Sequence, residues 1–470
     1  MPGLVPAATG ADETDPGRPE PGPAAGALSP IDRRSGQGLD WLNFFVANLQ
    51  TAFGPFIAVY LTSEHWTQGQ IGLVLTVGSV TAMASQVPAG AFVDLLRNKH
   101  AAAAAAILAI VLSCLLLAIM PDRLPVTAAE VLHGFASCML NPAIAAITLS
   151  LVAAQTAPKG PRERSTEAAE AAAAAHSALG ERFGRNNSFG QIGNAMAAGL
   201  MGGVGYAVSA RATFFLGALL ALPGLLALRA IARVPEQRPV PGAAGGAASV
   251  RSGATRGIGT LLHDRRLFGF AVCVVFFHLS NAGMLPLAAG QLTREAGHLA
   301  ELVIAACILV PQILGAILSP RIGRWAGIYG RRPVMMVAFI ALPLRGVLLA
   351  VSTSPAMTVA VQLLDAVSSA AFGVMLPLVA ADLSRGTGRF NLCMGLLGLA
   401  MGLGASFSTT LAGFVADRWL PAGFLVLAGA GALCVLSVWL LFSETAPELS
   451  RMVKPSAAGR AGSARARTPD

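Results

Sequence analysis

Two pairs of ionisable side chains stand inside stretches that are otherwise apolar: Glu130 with His133, and Arg345 with Asp365. Glu130 and His133 are three residues apart, so any helix that carries them presents both on one face, and a carboxyl beside an imidazole exchanges a proton near neutral pH. Glu130, His133 and Asp365 are therefore the expected proton-coupling groups. Arg345 is the one permanently charged residue in the middle of an apolar run. An unpaired guanidinium in hydrocarbon costs ~3 kcal/mol on insertion scales, so a partner is required. Counting ~1.5 Å per helical residue from the ends of the two runs puts Arg345 and Asp365 at one depth. They are expected to form a buried ion pair, either static or released by protonation or by substrate.

Amides form the second group. Asn43 and Gln50, with Asn48 beside them, mark one run, while Asn187, Gln191 and Asn194 form a stripe on another, and His278 and Asn281 lie on a third. Polar groups in hydrocarbon are costly unless paired or facing a water-filled space, so these residues read as the lining of a substrate cavity, with interhelical hydrogen bonding as the alternative. Other chemistries are excluded. The only lysines are Lys99, Lys159 and Lys454, none of them preceded by glycine as a Walker lysine requires, and neither G-x-S-x-G nor H-E-x-x-H occurs. Cys114, Cys138, Cys273, Cys307, Cys393 and Cys434 lie in apolar runs without C-x-x-C spacing. No enzyme activity, cofactor or metal site is expected.

The elements that hold these groups follow from composition. With 54% hydrophobic and 12% charged residues, and a mean hydropathy of +0.63, the 470-residue chain has too little polar surface for a soluble globule. Twelve runs approach the ~20 residues that cross ~30 Å of hydrocarbon. They fall near 41–62, 70–93, 101–120, 126–153, 186–208, 212–232, 267–290, 302–320, 333–352, 356–381, 391–416 and 419–442. With the amino terminus cytoplasmic, 28 of the 33 Lys and Arg lie in tails and inside loops. Arg123, Arg211, Arg294 and Arg418 lie outside. This charge bias places both termini in the cytoplasm of a multi-pass plasma (inner) membrane protein and assigns the net charge of +9 to topology and lipid contact, with no nucleic-acid partner.

The chain repeats itself. Phe44-Phe45 and Phe276-Phe277, Glu130 and Gln362, and His133 and Asp365 are each 232 apart; Pro55 and Pro286 differ by 231 and Gly90 and Gly323 by 233. The expected fold class is all-α integral membrane, with twelve transmembrane helices in two six-helix pseudo-repeats. The divisions are a disordered tail 1–39, a bundle 40–232 with a cytoplasmic insertion 157–185, a linker 233–266, a bundle 267–445 and a disordered tail 446–470. The alanine-rich insertion is expected to form a helix lying outside both repeats.

This arrangement, together with "GAFVDLLRNKH" after the second run and "GRWAGIYGRR" after the eighth, resembles the major facilitator superfamily. The signature loop G-x-x-x-D-R-x-G-R-R/K is matched at Gly90, Asp94 and Lys99. In the second copy it is matched at Gly323, Gly330, Arg331 and Arg332, with Gly327 at the aspartate position. The resemblance implies a gating role for these residues and for Arg389 at the start of the eleventh helix, whose exposed N–H groups Asp94 would cap. It also implies that helices 1, 4, 5, 7, 10 and 11 line the cavity. In "EVLHG", Glu130 stands where drug–proton antiporters of the family carry arginine, while Gly199, Gly202 and Gly203 keep the small residues of their helix-5 motif and are expected to pack closely. The function implied is secondary transport of a small solute by alternating access, with efflux favoured and possible proton coupling. Proton-coupled uptake of a metabolite and a non-transporting sensor or scaffold are the alternatives. A monomer in the lipid bilayer is the expected functional unit.

Overall fold

The computed structural model describes residues 30–51, 53, 55–66, 68–96, 98–155, 165–233, 263–295, 300–385, 387 and 389–446. Among these every regular element is α-helix, and the helices are labelled here by span. The first half holds α1a (Pro30–Thr51), α1b (Pro55–Ser63), α2 (Gln68–Leu95), α3 (Lys99–Ile119), α4 (Arg123–Gln155), α5 (Ser165–Ala207) and α6 (Ala212–Ala230). The second holds α7a (Arg265–Asn281), α7b (Met284–Glu295), α8 (Ala300–Tyr329), α9a (Arg331–Phe339), α9b (Ala341–Ala350), α10 (Pro355–Leu383), α11 (Phe390–Ala416) and α12 (Leu420–Leu440).

Ten helices among the described residues are long and apolar enough to cross a bilayer. The first and fifth spans complete the twelve: one is interrupted, and the other carries the amide stripe. Proline explains the interruptions. Pro55, Pro286 and Pro343 lack the N–H that would bond four residues back, and the chain breaks at or beside those positions, after Thr51, Asn281 and Phe339.

Two expected boundaries are corrected. The expected tail 1–39 is shortened: α1a starts at Pro30, with Ser35 accepting the N–H of Ala232 at 3.0 Å and Leu39 buried against the first-half core. The insertion 157–185 was expected to lie outside both repeats, yet from Ser165 it is continuous with α5. Its last turns carry Leu179 and Phe183 into a core shared with α10, and alanine-rich sequence without proline gives the helix no reason to stop. Positions 1–29, 156–164, 234–262 and 447–470, which hold most of the expected tails and linker, lie outside the described residues.

Within the first half α1a packs on α5 and α6, and α4 on α2 and α3; within the second α7a packs on α11 and α12, and α8 on α10. The halves meet along two seams, α2 on α11 and α5 on α8.

Candidate functional site: an interface closed at one end

The α2–α11 seam is built around one carboxylate. Arg389, at the N-cap position of α11, gives no side-chain acceptor to the helix. Asp94 from the other half takes that place. The Asn391 N–H and side-chain amide donate to its Oδ1 at 3.0 and 2.7 Å, and the Leu392 N–H donates to its Oδ2 at 2.8 Å. The exposed N–H groups at a helix start carry partial positive charge, so the ionised carboxylate suits the position. Gly90 is small because the Asn391 carbonyl stands where a Cβ would be. Further along, Gly395 and Gly398 receive Gln86, and Gly402 receives Met83.

The α5–α8 seam uses backbone contact. Gly180 and Gly323 each stand against the other's carbonyl, and Gly184 lies against Ser319. Asn187 donates to Ser319 Oγ at 2.9 Å and Ser188 to the Ala316 carbonyl at 2.6 Å. Both seams run about eleven residues, or ~17 Å, roughly half of a ~30 Å core. Among the described residues, the glycine contacts and hydrogen bonds just given between α2 and α11 and between α5 and α8 lie within these stretches. A methyl added at Gly199, Gly202 or Gly203 would meet no atom within 4 Å, and Tyr206 is 96% exposed. The expected close packing of those glycines is therefore corrected: none of the three has a neighbour where a side chain would start.

Between the seams lies the amide group. Asn43 is half-buried and donates to its own helix at Leu39, Gln50 is half-buried, and Asn194 accepts from Thr51 at 3.2 Å, joining α5 to α1a. Gln191 contributes no cross-seam bond but stands 3.5 Å from the position a Cβ on Gly315 would take. Asn48 departs from the expected cavity set. It is 0% exposed and donates to the Phe44 carbonyl, since two residues off the Asn43–Gln50 stripe turns it away. His278 is held among aromatic rings, 4.8 Å from Phe372.

Arg345 reaches from α9b into α7a and α10. Its Nη1 donates to Asp365 at 2.7 Å and to Asn281 at 2.5 Å, and its Nη2 to Gln362 at 2.7 Å. Arg345 is 2% exposed and Asp365 18%, so the carboxylate is the more exposed member of the pair. Glu130 and His133 are not bonded to each other. Glu130 is buried against Gly78 of α2, with its Oε1 lacking a hydrogen-bond partner, while His133 stacks on Phe53 at the α1 break, 3.7 Å between centroids, and meets Ser137.

The second signature loop does a different job from the first. Arg331 is buried and pairs with Asp382 at 2.9 Å, and the N–H groups of Arg331 and Arg332 donate to Glu444. The Arg332 guanidinium bonds the Trp439 carbonyl. These bonds stay within the second half. Gly330 has φ of 93°, a conformation that favours glycine. Lys99 likewise works locally, donating to the carbonyls of Val93 and Leu96 at 2.7 Å. None of the bonds just named for Lys99, Arg331 and Arg332 crosses the seam.

Sequence reasoning missed Asp40. It sits at the inner end of the first apolar run and accepts from Arg182 at 2.5 Å and Arg185 at 2.6 Å. The three-residue spacing of those arginines, which puts both on one helix face, was the available signal.

Comparisons with known proteins bear on the family and the fold. The family model described as Major Facilitator Superfamily matches residues 39–292 and 271–463. Two Mycobacterium tuberculosis proteins, the uncharacterized MFS-type transporters MT2531 and Rv2456c, are each 31% identical over 424 residues, covering 88% of this chain and 94% of theirs. Among solved structures, the human organic anion transporter MFSD10 aligns with a TM-score of 0.65 at 16% identity, over 87% of this chain and 100% of that one. FucP in its outward conformation aligns at 0.61 and 15%, over 87% and 99%. At these identities the structures speak for the fold alone.

Proposed function

This chain belongs to the Major Facilitator Superfamily of multi-pass membrane transporters, and from that premise we propose that it exports a small neutral or amphipathic solute in exchange for protons. The observation that carries the alternating-access part of the reading is the one-ended closure, while the choice of export rests on the weakly charged groups between the seams. Asp94 caps α11 and Gly180 meets Gly323 on the side that bears the described chain ends, while no such contact is found at the other side among the described residues. With both termini in the cytoplasm of the plasma membrane, this is an outward-facing state, and rocking the halves about the seams opens the other side. The groups between the seams are amides and hydroxyls, and Arg345 is sequestered, which suits an uncharged solute better than a polyanion. Asp365 and Glu130 are the proton carriers. Asp365 is the more exposed member of its pair, beside a fixed positive partner, and Glu130 has an oxygen that a proton would satisfy.

The test uses proteoliposomes of the full chain, loaded with a panel of labelled neutral and amphipathic solutes under imposed pH gradients. Expected is movement of at least one solute against its gradient, opposite in direction to the protons. Movement with the protons would replace export by coupled uptake, and transport indifferent to the gradient would remove coupling.

A further inference from the structure

Beside the α5–α8 seam, the first half forms an open cavity of about 430 Å³ between α1a, α4 and α5, at the end bearing the described termini. Its charged lining is Arg33, Asp40, Glu181, Arg182 and Arg185, with Gln37 and Gln155 among the other groups. We propose that this cavity binds a phosphate-type anion, either the headgroup of an anionic lipid or free phosphate.

The argument begins with what the two carboxylates do. Asp40 is 2% exposed and already accepts from both Arg182 and Arg185, so it holds the guanidiniums in place and has little capacity for another cation. Glu181 is half-exposed and faces Arg324 of the second half at 4.0 Å. The three arginines are not used up. Arg182 spends Nε and Nη2 on Asn186 and Asp40, leaving Nη1 without a hydrogen bond among the described residues. Arg185 spends Nε and Nη2 on Asp40 and keeps Nη1. Arg33 is exposed and has no ion pair among the described residues. Position 36 matters as well. A Cβ on Gly36 would stand 3.6 Å from Arg182 Nη1, an ordinary contact distance, so that donor lies beside α1a at the cavity wall.

Three guanidiniums against two carboxylates leave a surplus positive charge around a space with free N–H donors. Guanidinium groups in a fixed array recognise phosphate by paired, charge-assisted bonds. The position adds a consequence. Gly180 and Gly184, which form the α5–α8 seam, flank Arg182 on the same helix. An anion held here braces the helix at the closed end.

The experiment titrates the full-length protein in neutral detergent with phosphatidylglycerol, phosphatidylcholine or inorganic phosphate and reads adducts by native mass spectrometry. Expected is one saturable adduct with phosphatidylglycerol or phosphate and none at equal concentration with phosphatidylcholine. Arg33→Gln should weaken it roughly tenfold, the size of one lost charged hydrogen bond. Arg321→Gln, an exposed charge on the second half, should leave it unchanged. Displacement of the lipid by inorganic phosphate assigns the site to the free anion, and its failure to displace assigns it to the headgroup. Equal binding of both lipids without a phosphate adduct overturns the proposal. So do equal losses in the two variants, or no loss in Arg33→Gln.

Discussion

The carboxylate of Asp94 on α2 caps α11 through Asn391, accepting its backbone N–H at 3.0 Å and its side-chain amide at 2.7 Å across the boundary between the halves. Hydrogen bonds of this kind to an ionised group contribute ~1.5–3 kcal/mol each. Asp94→Asn keeps the shape and removes the charge, so the closed end should open more often. Cys393, fully buried two residues beyond Asn391, reports on it. Its alkylation by a permeant maleimide should accelerate roughly tenfold, while Cys434, also buried, should not change. Equal rates in parent and variant would remove the latch.

The second copy of the loop makes the opposite prediction. A Cβ at Gly327 would stand 3.2 Å from the Cα and Oγ of Ser177, where α5 runs as unbroken helix with its N–H groups already bonded. Restoring the signature aspartate by Gly327→Asp should therefore weaken closure and speed Cys393 labelling. Slower labelling than the parent would show that a second cap forms after all.

Arg345 and Asp365 form a pair whose disruption costs ~3–5 kcal/mol when one partner is removed and far less when both are. Arg345→Leu should lower the thermal midpoint of the purified protein. Asp365→Asn should lower it less, because Asn281 and Gln362 still accept from the guanidinium. Arg345→Leu combined with Asp365→Leu should recover most of the loss. If transport returns with stability, the pair is structural; if stability returns alone, Asp365 works in the cycle. A double variant no more stable than Arg345→Leu alone would refute the pairing energetics.

Glu130→Gln should leave solute exchange intact and abolish accumulation driven by the proton gradient, measured in the same vesicles. The amide fills the same space against Gly78 but cannot carry a proton. Gradient-driven transport equal to the parent would move coupling away from this residue.

The sequence alone determined the class, the spans and the repeat, because hydrocarbon admits only apolar runs of a certain length and because charge bias and internal offsets are linear properties. It also placed Arg345 beside Asp365, since depth along a helix is arithmetic. Tertiary structure decided which faces meet. Nothing linear shows that Asn48 turns inward to the bundle while Asn43 does not, or that Arg331 pairs within its own half. Nor does it show that the insertion's final turns belong to the α5–α8 seam. Those outcomes depend on which backbone comes close enough to forbid a Cβ, as between Gly180 and Gly323, and that proximity exists only once two distant helices have packed.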